Sequence, residues 1–146
     1  TIAKKTEGYS YKYTELADIN KYCEDNGIRY FQEVETSEIN QEDYIITLIK
    51  KKCNKNNSVE VYFVGSVMGK INTEIFDRIV EKLNKEGIKA KLLGNPCSDK
   101  NSLEELNSIG VAILVEKVNV SRYDEIEKEI KLLYDNDVII LGTVML

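Results

Sequence analysis

The run Ser58-Val59-Glu60-Val61-Tyr62-Phe63-Val64-Gly65-Ser66-Val67-Met68-Gly69-Lys70, with Ile71-Asn72-Thr73-Glu74-Ile75-Phe76-Asp77-Arg78-Ile79-Val80 behind it, constrains the fold more than any other stretch. A short β-branched apolar run breaks at glycine, and apolar residues then recur at Ile75, Phe76, Ile79, Val80 and Leu83. That change of period spells strand, tight loop, helix, the opening of an α/β unit. The loop joins the carboxyl end of a strand to the amino end of a helix. Free backbone N–H groups and the helix dipole favour an anion there, so an α/β protein that bound phosphate would bind it at this loop.

The same alternation runs to the end of the chain. It predicts strand Val59–Val64, helix Thr73–Lys85 stopped by Gly87, strand Ala90–Leu93, a loop Gly94–Asp99 and a short helix Ser102–Asn107. Strand Val111–Val115, helix Arg122–Tyr134 with Ile126, Ile130 and Leu133 inward, and strand Val138–Val144 complete it. Strands that are apolar on both faces, separated by amphipathic helices, imply a parallel sheet covered on both sides. Right-handed crossovers make the fold a three-layer, doubly wound, mostly parallel α/β sheet of P-loop or Rossmann-like type, with strand order 2-1-3-4 counted from Val59.

Ahead of this main domain, residues 58–146, the pattern gives a polar tether over 1–13 and a helix-strand-helix extension over 14–57 that packs on the domain. Thr14 caps a helix through Glu15 to Asp25, with Leu16, Ile19, Tyr22 and Cys23 on one face and Asn26-Gly27 as its stop. Ile28–Val34 reads as a strand at a sheet edge, and Thr36-Ser37-Glu38 opens a second helix over Ile39–Cys53. That helix carries Ile45, Ile46, Leu48 and Ile49 as a stripe and ends in Lys50-Lys51-Lys52, which complement its dipole. Tyr9, Tyr11 and Tyr13 alternate in the tether, so their rings share one side of an extended chain, either as a packing surface or as phosphorylation sites.

Composition removes several function classes. A chain of 146 residues is about one domain and can bury roughly two-thirds of its unfolded surface without staples. Twenty basic against 25 acidic residues leave a charge of -5 with no basic face, which argues against nucleic acid. No apolar run approaches the roughly 18 residues of a membrane span. The chain begins at Thr1 without methionine, and the expectation is a segment of a longer protein whose membrane parts lie outside it. Cys23, Cys53 and Cys97 form no C-x-x-C pair and are expected as reduced, mostly buried thiols. Histidine is absent, which excludes Ser-His and Cys-His couples, H-E-x-x-H and the commonest metal ligand.

The loop itself departs from the phosphate-binding pattern G-x-x-x-x-G-K-[ST], whose glycines let backbone N–H groups wrap phosphates while a hydroxyl holds magnesium. Gly69-Lys70 is present, but Val64 stands five residues before Gly69, Gly65 comes one residue late and Ile71 replaces the hydroxyl. The vestigial phosphate-loop candidates are Gly65, Ser66, Gly69 and Lys70. No catalytic or metal-binding residue stands out, and the expected cofactor set is none, with ATP and magnesium as the alternative. An acid supporting that metal should end the second strand, yet Leu92-Leu93 is followed by Gly94-Asn95. Asp99 reads as turn chemistry with Ser98 and Asn101, and Cys97 lacks any activating histidine or arginine. A response-regulator-like receiver would need acids at strand ends that Val64-Gly65 and Val115-Glu116 do not supply.

In the order of its pieces the chain resembles the cytoplasmic end of bacterial capsular, exopolysaccharide and lipopolysaccharide chain-length determinants joined to their tyrosine-kinase domain. Thr14–Ile19 through Ile28–Val34, the helix from Ser37-Glu38, Val61–Ser66, Val111–Lys117 and Ile139–Val144 carry the likeness. In such kinases the helix before the phosphate loop carries a glutamate with arginines three and six residues later, used between subunits; here Glu42 is followed by Ile45 and Leu48. The resemblance therefore implies a kinase-like domain without kinase chemistry, a regulatory or scaffold part of a polysaccharide-assembly protein. It further implies protein partners or self-association, and a cytoplasmic place on an inner-membrane protein reached through segments outside this chain. A nucleotide-binding ATPase or tyrosine kinase with an atypical loop is the alternative.

Overall fold

Strands that present apolar side chains on both faces need a layer of helices on each side, and that is how the chain folds. The computed structural model describes residues 16–28, 41–117 and 120–145. In order they form α1 (Leu16–Asp25), α2 (Gln41–Lys55), β1 (Glu60–Val64), α3 (Glu74–Lys85), β2 (Lys89–Leu92), α4 (Lys100–Ile109), β3 (Val111–Glu116), α5 (Tyr123–Asp135) and β4 (Ile139–Met145). The four strands make one all-parallel sheet in the order β2-β1-β3-β4, as the alternation predicts. The tether with its tyrosines, the Thr14 cap, all of the strand 28–34 beyond Ile28, and the start of the second helix at 36–40 lie outside the described residues.

Alternation along each strand sorts side chains into two cores. Tyr62, Val64, Ala112, Leu114 and Ile140 point to one face, where Ile19 and Cys23 of α1, Leu106 of α4, and Ile126, Ile130 and Leu133 of α5 cover them. Val61, Phe63, Ile113, Val115 and Leu141 point to the other, under Ile45, Ile49 and Cys53 of α2 and Phe76, Ile79 and Leu83 of α3. Phe63 and Phe76 meet in a tilted ring pair with centroids 5.7 Å apart. Such aromatic contacts add to the area they bury, and with both faces apolar the sheet is the shared wall of both cores.

Helix ends follow local chemistry. Asp99 caps α4 by accepting the Asn101 N–H at 3.1 Å, and Gly110, left-handed at φ 74°, closes it. Those two residues make α4 run from Lys100 to Ile109, longer at both ends than the expected Ser102–Asn107. Similarly, α2 continues past Cys53, its expected end, and takes in Asn54 and Lys55. Ile45 is buried and Glu42 pairs within the chain, with Arg78 at 3.2 Å and Lys82 at 3.5 Å on α3. Lys50, from the lysine run, ion-pairs with Glu86 at 3.0 Å.

Candidate functional site: the switch-point crevice

Strand order reverses between β1 and β3: from β1 the chain moves outward to β2, and from β3 outward to β4. In open α/β sheets the crevice beyond the carboxyl ends of such a strand pair is the usual ligand position. Three connections border it here: residues 65–73 after β1, 93–99 after β2 and, of the described residues after β3, 117 and 120–122.

Gly65 is fixed by its neighbour strand. A Cβ on it would fall onto the Val115 carbonyl oxygen, far inside contact distance, so only glycine lets β1 leave the sheet this close to β3. From there residues 66–70 wind through turns in which Met68 N–H donates to the Gly65 carbonyl at 3.3 Å and Lys70 N–H to the Val67 carbonyl at 2.8 Å. Gly69 and Lys70 are exposed, and a Cβ on Gly69 would meet open space. The helix starts only at Glu74, whose N–H is taken by Asn72 Oδ1 at 3.0 Å, and its first turn carries Glu74 and Asp77. Of the four loop candidates, then, Gly65 and Ser66 are buried beside the end of β3, whereas Gly69 and Lys70 are exposed.

The chemistry gathers around a residue that the loop motif does not include. Glu116 ends β3 and is fully buried. Its Oε1 accepts the Ser66 backbone N–H at 3.3 Å, and its Oε2 accepts the Ser66 hydroxyl at 2.7 Å and the Ser121 hydroxyl at still shorter range. Ser121 Oγ in turn accepts the Lys117 N–H at 2.9 Å. One carboxylate thus ties the loop after β1 to the loop after β3 through charge-assisted hydrogen bonds. The backbone N–H that opens the glycine loop is directed at a resident carboxylate.

Glu129 reaches the same place from α5. It is fully buried, and neither of its carboxyl oxygens meets a hydrogen-bond donor. Burial, and then the neighbouring Glu116, push its carboxyl well above the ordinary carboxylate range, with Cys97 and Glu125 adding to the effect. Sequence reasoning passes over Glu129, and its expectation that Val115-Glu116 supplies no strand-end acid is corrected here, because β3 extends one residue further and Glu116 is its last residue. A signal for Glu129 exists, because position 129 falls in the inward stripe of Ile126, Ile130 and Leu133, where a charged residue has no place in an ordinary core.

The loop after β2 completes the rim. Asp99 accepts the Ser102 hydroxyl at 2.6 Å, the Ser102 oxygen accepts the Gly94 N–H at 2.9 Å, and Asp99 is held below the usual carboxylate range chiefly by that hydroxyl. Ser98, expected as a partner of Asp99, donates its N–H to the Asn95 carbonyl at 3.0 Å instead. Cys97 is exposed, but partial burial of its thiol raises it above the usual cysteine value, the reverse of an activated nucleophile. Cys23 and Cys53 are buried and pushed up to about 12 and about 11. Among the described residues no group of three or more His, Cys, Asp or Glu side chains could hold a metal ion, and no helix is long and apolar enough to cross a membrane. No protein-family model matches the chain, and no curated protein matches it.

Proposed function

We propose that this is a non-catalytic interaction domain, built on a nucleotide-binding type of fold but using its crevice for internal bracing. The observation that carries this reading is Glu116: its carboxylate takes the Ser66 N–H and hydroxyl that an incoming phosphate would need. A triphosphate at this loop would meet buried negative charge at 116 and acidic residues at 74 and 77 in the helix's first turn, a repulsion that a single exposed Lys70 does not offset. The setting suggested by the resemblance, regulation within a capsule, exopolysaccharide or lipopolysaccharide assembly complex through protein partners or self-association, belongs to the same proposal and rests on the likeness in element order alone. Calorimetric titration with Mg-ATP and Mg-ADP tests the core of it: no heat of binding is expected. Micromolar affinity that disappears in Lys70→Ala would overturn it.

A further inference from the structure

Two carboxyl groups, one from the end of β3 and one from the middle of α5, are both fully buried and lie next to each other. Glu116 accepts three hydrogen bonds, while both oxygens of Glu129 accept none. Two like charges cannot both be kept in a dry site at short range, so such a pair holds one proton in common. Satisfied donors place the negative charge on Glu116, which leaves the proton to Glu129; the protonated group then becomes a donor toward its neighbour and no longer an unpartnered anion.

We propose that the proton shared by Glu116 and Glu129 is a latch that fastens α5 to the two loops closing the switch-point crevice, and that its loss at alkaline pH opens them. The groups that act on Glu129 are all acidic: Glu116 from β3, Cys97 from the loop after β2, and Glu125 one turn earlier on α5. Glu125 has its own buried, unbonded Oε2, and Asp124 is engaged with Arg122 at 3.4 Å. Lys117, next to Glu116 in the chain, is exposed. When the proton leaves, the buried charge is relieved by water entering, and the nearest walls among the described residues are 120–122 with Ser121, and 65–70 with Ser66. The latch does not depend on any ligand, so it stands or falls apart from the function proposed above.

The sign of the pH effect follows from linkage. A carboxyl held above its ordinary value binds its proton more tightly folded than unfolded, so stability is full below the ordinary glutamate value and is lost as pH rises through the folded one. In the intact domain, thermal midpoints should fall steadily as pH is raised from about 5 to about 9, and Glu129→Gln should flatten that slope and melt above wild type at the alkaline end. Over the same range, amide exchange at Ser66 and Ser121 should accelerate beyond its intrinsic base dependence, while exchange in β1 and β3 should not. An infrared carbonyl band of a protonated carboxylic acid at pH 7, absent in Glu129→Gln, is the direct signature. It can be sought in wild type alone if the variant does not fold. Absence of that band at pH 7, or an unchanged slope in Glu129→Gln, overturns the latch.

Discussion

At the residue scale, the two glycines of the loop after β1 are chemically alike and structurally opposite. Gly65 is wedged against the Val115 carbonyl, where any Cβ must push apart two hydrogen-bonded backbones, whereas Gly69 has open space around it and no left-handed φ to preserve. Gly65→Ala should therefore cost about 3 kcal/mol or more by prising β1 from β3. Gly69→Ala should be neutral or stabilise by up to about 0.5 kcal/mol, because it only narrows the unfolded ensemble. Urea midpoints at constant slope measure both. A phosphate-cradling loop would need both glycines, so equal, large losses would contradict the internally braced geometry described here. This contrast is also where the sequence is least informative. Spacing marks Gly65 and Gly69 as equivalent punctuation, and only the packing of β3 shows that one is needed for close approach.

Elements were far more legible than contacts. Change of period located every described strand and helix of the main domain to within two or three residues, because parallel strands buried on both faces and amphipathic helices carry opposite hydrophobic rhythms. Boundaries slipped where capping outweighs periodicity. The start of α4 is set by Asp99 and its end by Gly110, signals that were present in the chain but subordinate to the apolar pattern. Glu129 illustrates the opposite limit. Helix α5 carries Glu125, Glu127 and Glu129 within five positions, and composition counts them alike, although Glu129 lies in the inward stripe and is fully buried while the other two are only half-buried. The strand-end site was missed for a related reason: Glu116 closes an apolar run, so it reads as the first polar residue of a loop, while its role depends on Ser66, fifty positions away.

For the molecule as a whole, the question is whether α1 belongs to the same cooperative unit as the sheet. The three cysteines are well placed to answer it. Cys23 sits in the core beneath α1 and α5, Cys53 in the opposite core beneath α2, and Cys97 at the surface. Both buried thiols are pushed upward by burial, to about 12 and about 11, so neither offers thiolate to an alkylating reagent near pH 8 until its core opens. Because alternate residues of β1 and β3 line the two cores, stripping helices from one face exposes the back of strands that support the other, and the cores should melt together. Pulse alkylation across a urea series should label Cys97 without denaturant, and Cys23 and Cys53 at one common midpoint that coincides with the loss of helical circular dichroism. If Cys23 labels at distinctly lower urea than Cys53, α1 unfolds on its own and is docked on the sheet, not an integral layer of it. A common midpoint in wild type that splits in Leu133→Ala would locate the coupling in the contact between α1 and α5, since that truncation opens a cavity on the Cys23 side alone.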